Sequence, residues 1–197
     1  MENRKIPLDY QAISEIIEPG AKVLDLGCGT GDLMHHLVTA NNVKAQGIEL
    51  NEGSIYKCVE KGLSVFHSDI DSGLGSYPDK SFDYIILNQT LQEVKKVDYV
   101  IDEALRVAHK VIIGFPNFAT LEARFILCFQ GRAPVTESLP YRWHNTPNLR
   151  FLSIIDFMDF CKEKQLKVLR SFFFNHRRRV TFLPNLFATS VVVVVTQ

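Results

Sequence analysis

The residues best suited to chemistry lie near the start of the chain, in Val23-Leu24-Asp25-Leu26-Gly27-Cys28-Gly29-Thr30-Gly31-Asp32. A glycine-rich turn that leaves an apolar run and opens a helical stretch lets backbone approach a ligand with its amide groups pointing outward. A dinucleotide-binding turn, Gly-x-Gly-x-x-Gly, would carry its third glycine at position 32. Asp32 stands there instead, and Gly31 closes the turn one place earlier. An acidic side chain at the helix start repels a pyrophosphate and suits a ligand with a cationic tail.

Two further acids follow in order. Glu49 ends the second apolar run, 18 residues after Gly31, where a carboxylate can accept hydrogen bonds from both hydroxyls of a ribose. Asp69 follows the third run, beside Ile70 and Asp71. Any one of these acids is as readily a helix cap or a solvated charge. As a set they come at the carboxyl ends of successive strands, where open α/β sheets bind ligands, and this order favours a nucleoside with a cationic tail, such as S-adenosylmethionine or S-adenosylhomocysteine. The candidates for a general base are Glu93, His144 and His67. His67 closes an apolar run and reads as structural, and Cys28 reads as a small residue between two glycines. Displacement at an activated methyl sulfonium relies on alignment in a dry site, so a conspicuous catalytic triad is not required.

The elements that must position these groups are short apolar runs separated by helical stretches. Residues 22–26, 43–50, 63–67, 82–87 and 107–115 are expected to form parallel strands, with 32–40, 52–61 and 97–106 as crossover helices. Residues 117–148 are rich in breakers, aromatics and basic side chains, and read as a helix followed by an extended loop. A helix over 154–164 then precedes two last strands, 166–174 and 188–196. The basic run 176–179 falls in the hairpin between those strands and reads as a solvated loop.

Composition sets the frame. The 197 residues, 46% of them hydrophobic, suffice for one core, so 1–197 is expected to be a single domain with 117–150 as a lid or partner-binding insertion. Basic and acidic residues number 22 each, which removes any bulk attraction to nucleic acid or an anionic membrane. The charged N-terminus lacks a signal-peptide core and no apolar run approaches the ~20 residues of a membrane span, so a cytoplasmic location is expected. The four cysteines are widely separated and form no Cys-x-x-Cys pair, which points to free thiols and no metal.

The segment 23–32 resembles motif I of S-adenosylmethionine-dependent methyltransferases. More specific stretches resemble one branch of that superfamily, the methionine biosynthesis protein MetW family. They are Phe82 through Gln92 with its Asn-Gln-Thr-Leu-Gln ending, Phe115-Pro116-Asn117-Phe118, Gly131 through Thr136, Leu139 through Asn148, and Leu183-Pro184-Asn185-Leu186-Phe187-Ala188. The resemblance implies a Rossmann-like class I methyltransferase fold: a seven-stranded, mostly parallel sheet with the last strand antiparallel and helices on both faces. It carries the cofactor contacts onto Asp25, Gly27, Cys28, Gly29, Gly31, Glu49, Leu50, Asp69, Ile70 and Asn88, with Asp69 at the adenine amino group and Ile70 on the ring.

The resemblance also implies work in methionine biosynthesis with the homoserine O-acyltransferase MetX. Two readings follow: an accessory or regulatory subunit of homoserine acylation, or a methyltransferase acting on a small molecule. The segment after the fourth strand lacks the Asx-Pro-Pro-aromatic motif of amine methyltransferases, which disfavours nucleic-acid and protein amide acceptors.

Overall fold

A computed structural model of the chain describes residues 6–176 and 178–197. Seven strands, β1 Lys22–Leu26, β2 Lys44–Glu49, β3 Ser64–His67, β4 Phe82–Asn88, β5 Ala108–Pro116, β6 Lys167–Phe174 and β7 Ser190–Thr196, form one sheet in the order β3-β2-β1-β4-β5-β7-β6. β7 runs antiparallel to both of its neighbours, and every other pairing is parallel. This is the expected sheet, with strand boundaries moved by one or two residues. Val107, for example, ends a helix instead of opening β5.

Helices cover both faces because the central strands are apolar on both sides. Val191, Val193 and Val195 point into one core with Leu24, Ile85 and Ile113, whereas Val192 and Val194 point into the other with Val23, Ile86 and Ile112. The period of two therefore divides the valine run three to two between the cores, and full burial of each valine contributes roughly 1.5–3 kcal/mol. The first core is closed by α4 Val97–Val107 and α6 Ile154–Glu163, the second by α1 Leu8–Ile16 and α2 Asp32–Asn41. The third crossover helix, α3 Glu52–Glu60, places Cys58 beside Cys28 and Met34 beneath the glycine turn. α6 starts with a reciprocal capping box between Ser153 and Asp156.

Two elements were not legible as helices: α1, and the single turn α7 Pro184–Phe187. The insertion begins with α5 Leu121–Phe125, which continues as a π-helical turn Ile126–Gln130 and gives way to an irregular segment, as expected. Its return, Leu149 and Arg150, donates two backbone hydrogen bonds to the Gln92 carbonyl, 2.8 and 3.0 Å. Among the described residues no helix is long and apolar enough to cross a membrane. In the hairpin after β6, Phe174 bridges to Arg179, and Arg177 lies outside the described residues.

Candidate functional site

The chain winds outward from β1 through β2 to β3, then returns to place β4 on the other side of β1. The two loops leaving β1 and β4 diverge there, and a cleft opens between them at the carboxyl end of the sheet. It measures about 460 Å³, within the range of small-molecule sites. Gly27 and Gly29 come to it from β1, Glu49, Leu50 and Asn51 from β2, Ser68 through Asp71 from β3, and Gln89, Thr90 and Glu93 from β4.

Each glycine of the turn is required for a different reason. All three have left-handed backbone, φ of +71° at Gly27, +54° at Gly29 and +74° at Gly31. A methyl at Gly27 would strike Thr90 Cγ2 at 2.6 Å, so this glycine lets the two switch-point loops touch. One at Gly31 would strike Leu63 Cδ1 at 2.6 Å and Cys58 Sγ at 2.8 Å, so that glycine seats the turn on α3 and the strand beyond it. Nothing lies within 4 Å of a methyl at Gly29, which faces open space in the cleft.

Glu49 joins the turn to the rest of the cleft. Its Oε2 accepts from the Gly29 amide at 2.7 Å, and its Oε1 accepts from the amides of Leu50 and Asn51 at 2.9 and 2.8 Å. Asp69 accepts from the Asp71 amide at 2.9 Å and caps the short 3-10 turn Ile70–Ser72. Asp71 is occupied elsewhere. It accepts from the amides of Lys95 and Lys96, the latter at 2.7 Å, and so fixes the start of α4.

Gly27, Gly29, Glu49, Leu50, Asp69 and Ile70 line the cleft, and Asp25, Cys28, Gly31 and Asn88 do not. Asp25 is only 3% exposed behind the turn, with no hydrogen bond to its carboxyl among the described residues. Burial, and then the Glu49 charge, raise that carboxyl to about 7. Cys28 packs toward Gly47 and Met34; burial and then Asp25 push its thiol far above the ordinary range, which suits packing and not attack. The Asn88 amide donates to Asp9 of α1 at 3.0 Å, and its oxygen is buried against Gly114 without a partner among the described residues.

Asp32, expected to present its charge to the ligand, is bonded to Lys61 Nζ at 2.6 Å and accepts from the Thr30 hydroxyl at 2.7 Å. It does not line the cleft. The carboxylate nearer the turn's buried side is Asp25. The approach of α1 was missed as well: Tyr10 is half-buried and close enough to Asp9, Asp32 and Asp25 for its hydroxyl to be raised to about 12 by that burial and by those charges. A run of nine residues with no cap side chain at Pro7 gave little sign of this helix.

Of the candidate bases, Glu93 lines the cleft, and burial followed by the Glu49 charge raises its carboxyl. His67 Nε2 donates to the Leu50 carbonyl at 3.0 Å and holds the β2 and β3 ends together. His144 stands apart from the cleft, its ring edge-on to Trp143 in the insertion. Ser54, Asn51 and Gln89 also line the cleft, though none was among the expected site residues. Asn51 was legible only as the cap of α3, accepting from Ser54 at 2.9 Å, and Gln89 has left-handed backbone that no residue type announces.

Comparison with known proteins agrees with this architecture. A methyltransferase from Mesorhizobium loti dependent on S-adenosylmethionine superposes with a TM-score of 0.70 at 14% identity, over 96% of this chain and 97% of that one. One from Archaeoglobus fulgidus gives 0.69 at 15%, over 95% and 94%. The bifunctional methionine biosynthesis protein MetXA/MetW of Rhodopirellula baltica is 37% identical over 77% of this chain, which spans only 26% of that longer protein. The sequence profile of the methionine biosynthesis protein MetW matches residues 7–195, and the chain therefore belongs to the MetW family.

Proposed function

We propose that the chain is an S-adenosylmethionine-binding accessory subunit that associates with a homoserine O-acyltransferase in methionine biosynthesis. The observation that carries this reading is the Rhodopirellula baltica relative, in which a MetW unit is joined to a MetXA unit in one polypeptide. Covalent joining holds two units at high effective concentration, as a standing association between separate chains does by affinity.

The cleft supports the cofactor part of the reading. Glu49 keeps an acceptor position on Oε2 for a ribose hydroxyl, Asp69 and Ile70 line the cleft and would meet the adenine, and Gly29 leaves room for the tail. Asp25, buried and without a hydrogen bond to its carboxyl among the described residues, would supply the negative field at the end of the turn that an ammonium requires. When bound, the cofactor would bring a methyl sulfonium; these residues would bind and orient it.

The insertion supports the partner part. Leu121, Phe125, Leu127 and Phe129 project from one helical segment, Trp143 is 80% exposed, and Phe182 and Phe187 stack beside the sheet end. Such a density of exposed aromatics marks an interaction surface. Sedimentation of the chain mixed with a separately purified homoserine O-acyltransferase, each at about 10 μM, should show one complex. Independent sedimentation of the two would overturn the reading.

A second reading, a small-molecule methyltransferase, is favoured by Glu93, a carboxylate in the cleft wall that burial and then the Glu49 charge raise above its ordinary value and that could serve as a general base. Labelled methyl transfer to a metabolite extract, lost in Glu93→Gln, would select it.

A further inference from the structure

A second cavity lies beyond the adenine end of the cleft. It measures about 570 Å³ and opens between the start of α4, the start of α6 and the returning strap of the insertion. Its walls are apolar: Leu91, Val97, Ile101, Leu152, Phe157 and Phe160. The partition between the two spaces is the 3-10 turn Leu91–Glu93 with its continuation to Lys95, which lines both. The strap is held in place, because Arg150 adds a guanidinium bond to the Lys95 carbonyl at 3.1 Å to the two backbone bonds on Gln92.

The charges around the mouth are unequally satisfied. Asp156 is committed to the capping box of α6, and Asp98 pairs with Lys164 at 3.7 Å. Three cations, Lys95, Lys96 and Arg150, have no carboxylate partner among the described residues; Lys96 lies over the Tyr99 ring and Arg150 donates to backbone carbonyls. Asp71 bonds the backbone amides of Lys95 and Lys96 and leaves their ammonium groups unpaired among the described residues, so an apolar floor with side-chain cations at the rim is complementary to a molecule of the opposite build.

We infer that this cavity is a ligand site for a compact amphipathic anion, its apolar body seated on Phe157 and Phe160 and its charged head held by Lys95, Lys96 and Arg150. The site is divided from the cofactor cleft by the turn Leu91–Glu93 and shares Lys95 with it.

The test uses the full chain and 8-anilinonaphthalene-1-sulfonate, an aromatic sulfonate of this build, followed by fluorescence. Saturable binding of one probe per chain is expected. Val97→Trp, which fills the cavity, should weaken it at least tenfold, and Lys95→Glu with Lys96→Glu should do so comparably. Phe129→Ser, which removes the most exposed phenylalanine of the insertion helix, should leave it within twofold. Octanoate should displace the probe at concentrations where inorganic phosphate does not. If the cavity-filling variant fails to fold, the charge-reversed one decides. Binding unchanged by charge reversal, binding lost with Phe129→Ser, or displacement by phosphate alone would each overturn the assignment.

Discussion

Removing the Glu49 carboxylate should weaken S-adenosylmethionine binding by a calculable amount. A carboxylate offers about four lone-pair positions, and three are filled by the amides of Gly29, Leu50 and Asn51. One position on Oε2 is left for a ligand hydroxyl, and a second hydroxyl must share Oε1 with the two amides there. The ligand therefore gains close to one full charge-assisted hydrogen bond, worth roughly 1.5–3 kcal/mol. Glu49→Ala should raise Kd by about 10- to 150-fold. In the variant the three amides turn to water in an open cleft, so the fold survives and the loss falls on the ligand. Glu49→Gln should be intermediate, because its NH2 group confronts an amide that wants an acceptor. Isothermal titration of the purified variants measures this directly, and an affinity for Glu49→Ala within twofold of wild type would refute the reasoning.

Asp25 sets a pH dependence. Its folded value of about 7 lies above the unfolded value of about 3.9, so between them only the folded state holds the proton; its contribution to stability falls as pH rises through that window and levels off above it. Asp25→Asn should erase that part of the slope in thermal unfolding from pH 4 to 8, and an unchanged difference between the two proteins across that range would contradict it. On the same account, cofactor affinity of the wild type should strengthen between about pH 6 and 8, as Asp25 ionises toward the ammonium, and that trend should vanish in the variant. The glycines should separate by function: Gly31→Ala adds a clash with Leu63 and Cys58 to left-handed strain and should cost about 2–5 kcal/mol in denaturant unfolding, whereas Gly29→Ala meets nothing within 4 Å and should cost only the ~1–2 kcal/mol of left-handed strain, with the larger effect on binding. Ser153→Ala breaks the capping box of α6 and should lower stability by about 1 kcal/mol, read as a shift in midpoint without a change in slope.

The sheet was legible because its signals are local. Strand runs such as Val191 through Val195 are apolar at every position, and Asp32 and Asn51 stand at helix starts where a parallel crossover needs them. The acids of the cleft were legible because Glu49 ends β2 and Asp69 follows closely on β3, positions that topology converts into proximity. What the sequence hid depends on distance through space. That Lys61 occupies Asp32, that Asp9 takes the amide of Asn88, and that Asp71 is spent on Lys95 and Lys96 are pairings across 24 or more positions of chain. α1 was hidden for a related reason: its helicity owes more to burying Ala12 and Ile13 against α2 than to caps or end charges. His144 shows the converse error, since a residue type suited to acid–base work stands beside Trp143 in the insertion, away from the cleft.

The association with the acyltransferase is the claim on which the account turns, and the rate of homoserine acylation tests it most directly. The acyltransferase should be assayed alone and with this chain in slight excess, at a fixed S-adenosylmethionine concentration. The account predicts a change in rate that saturates at a fixed stoichiometry and is lost when Phe125 and Phe129 of the insertion are replaced by serine. A rate indifferent to the chain at every ratio would contradict it.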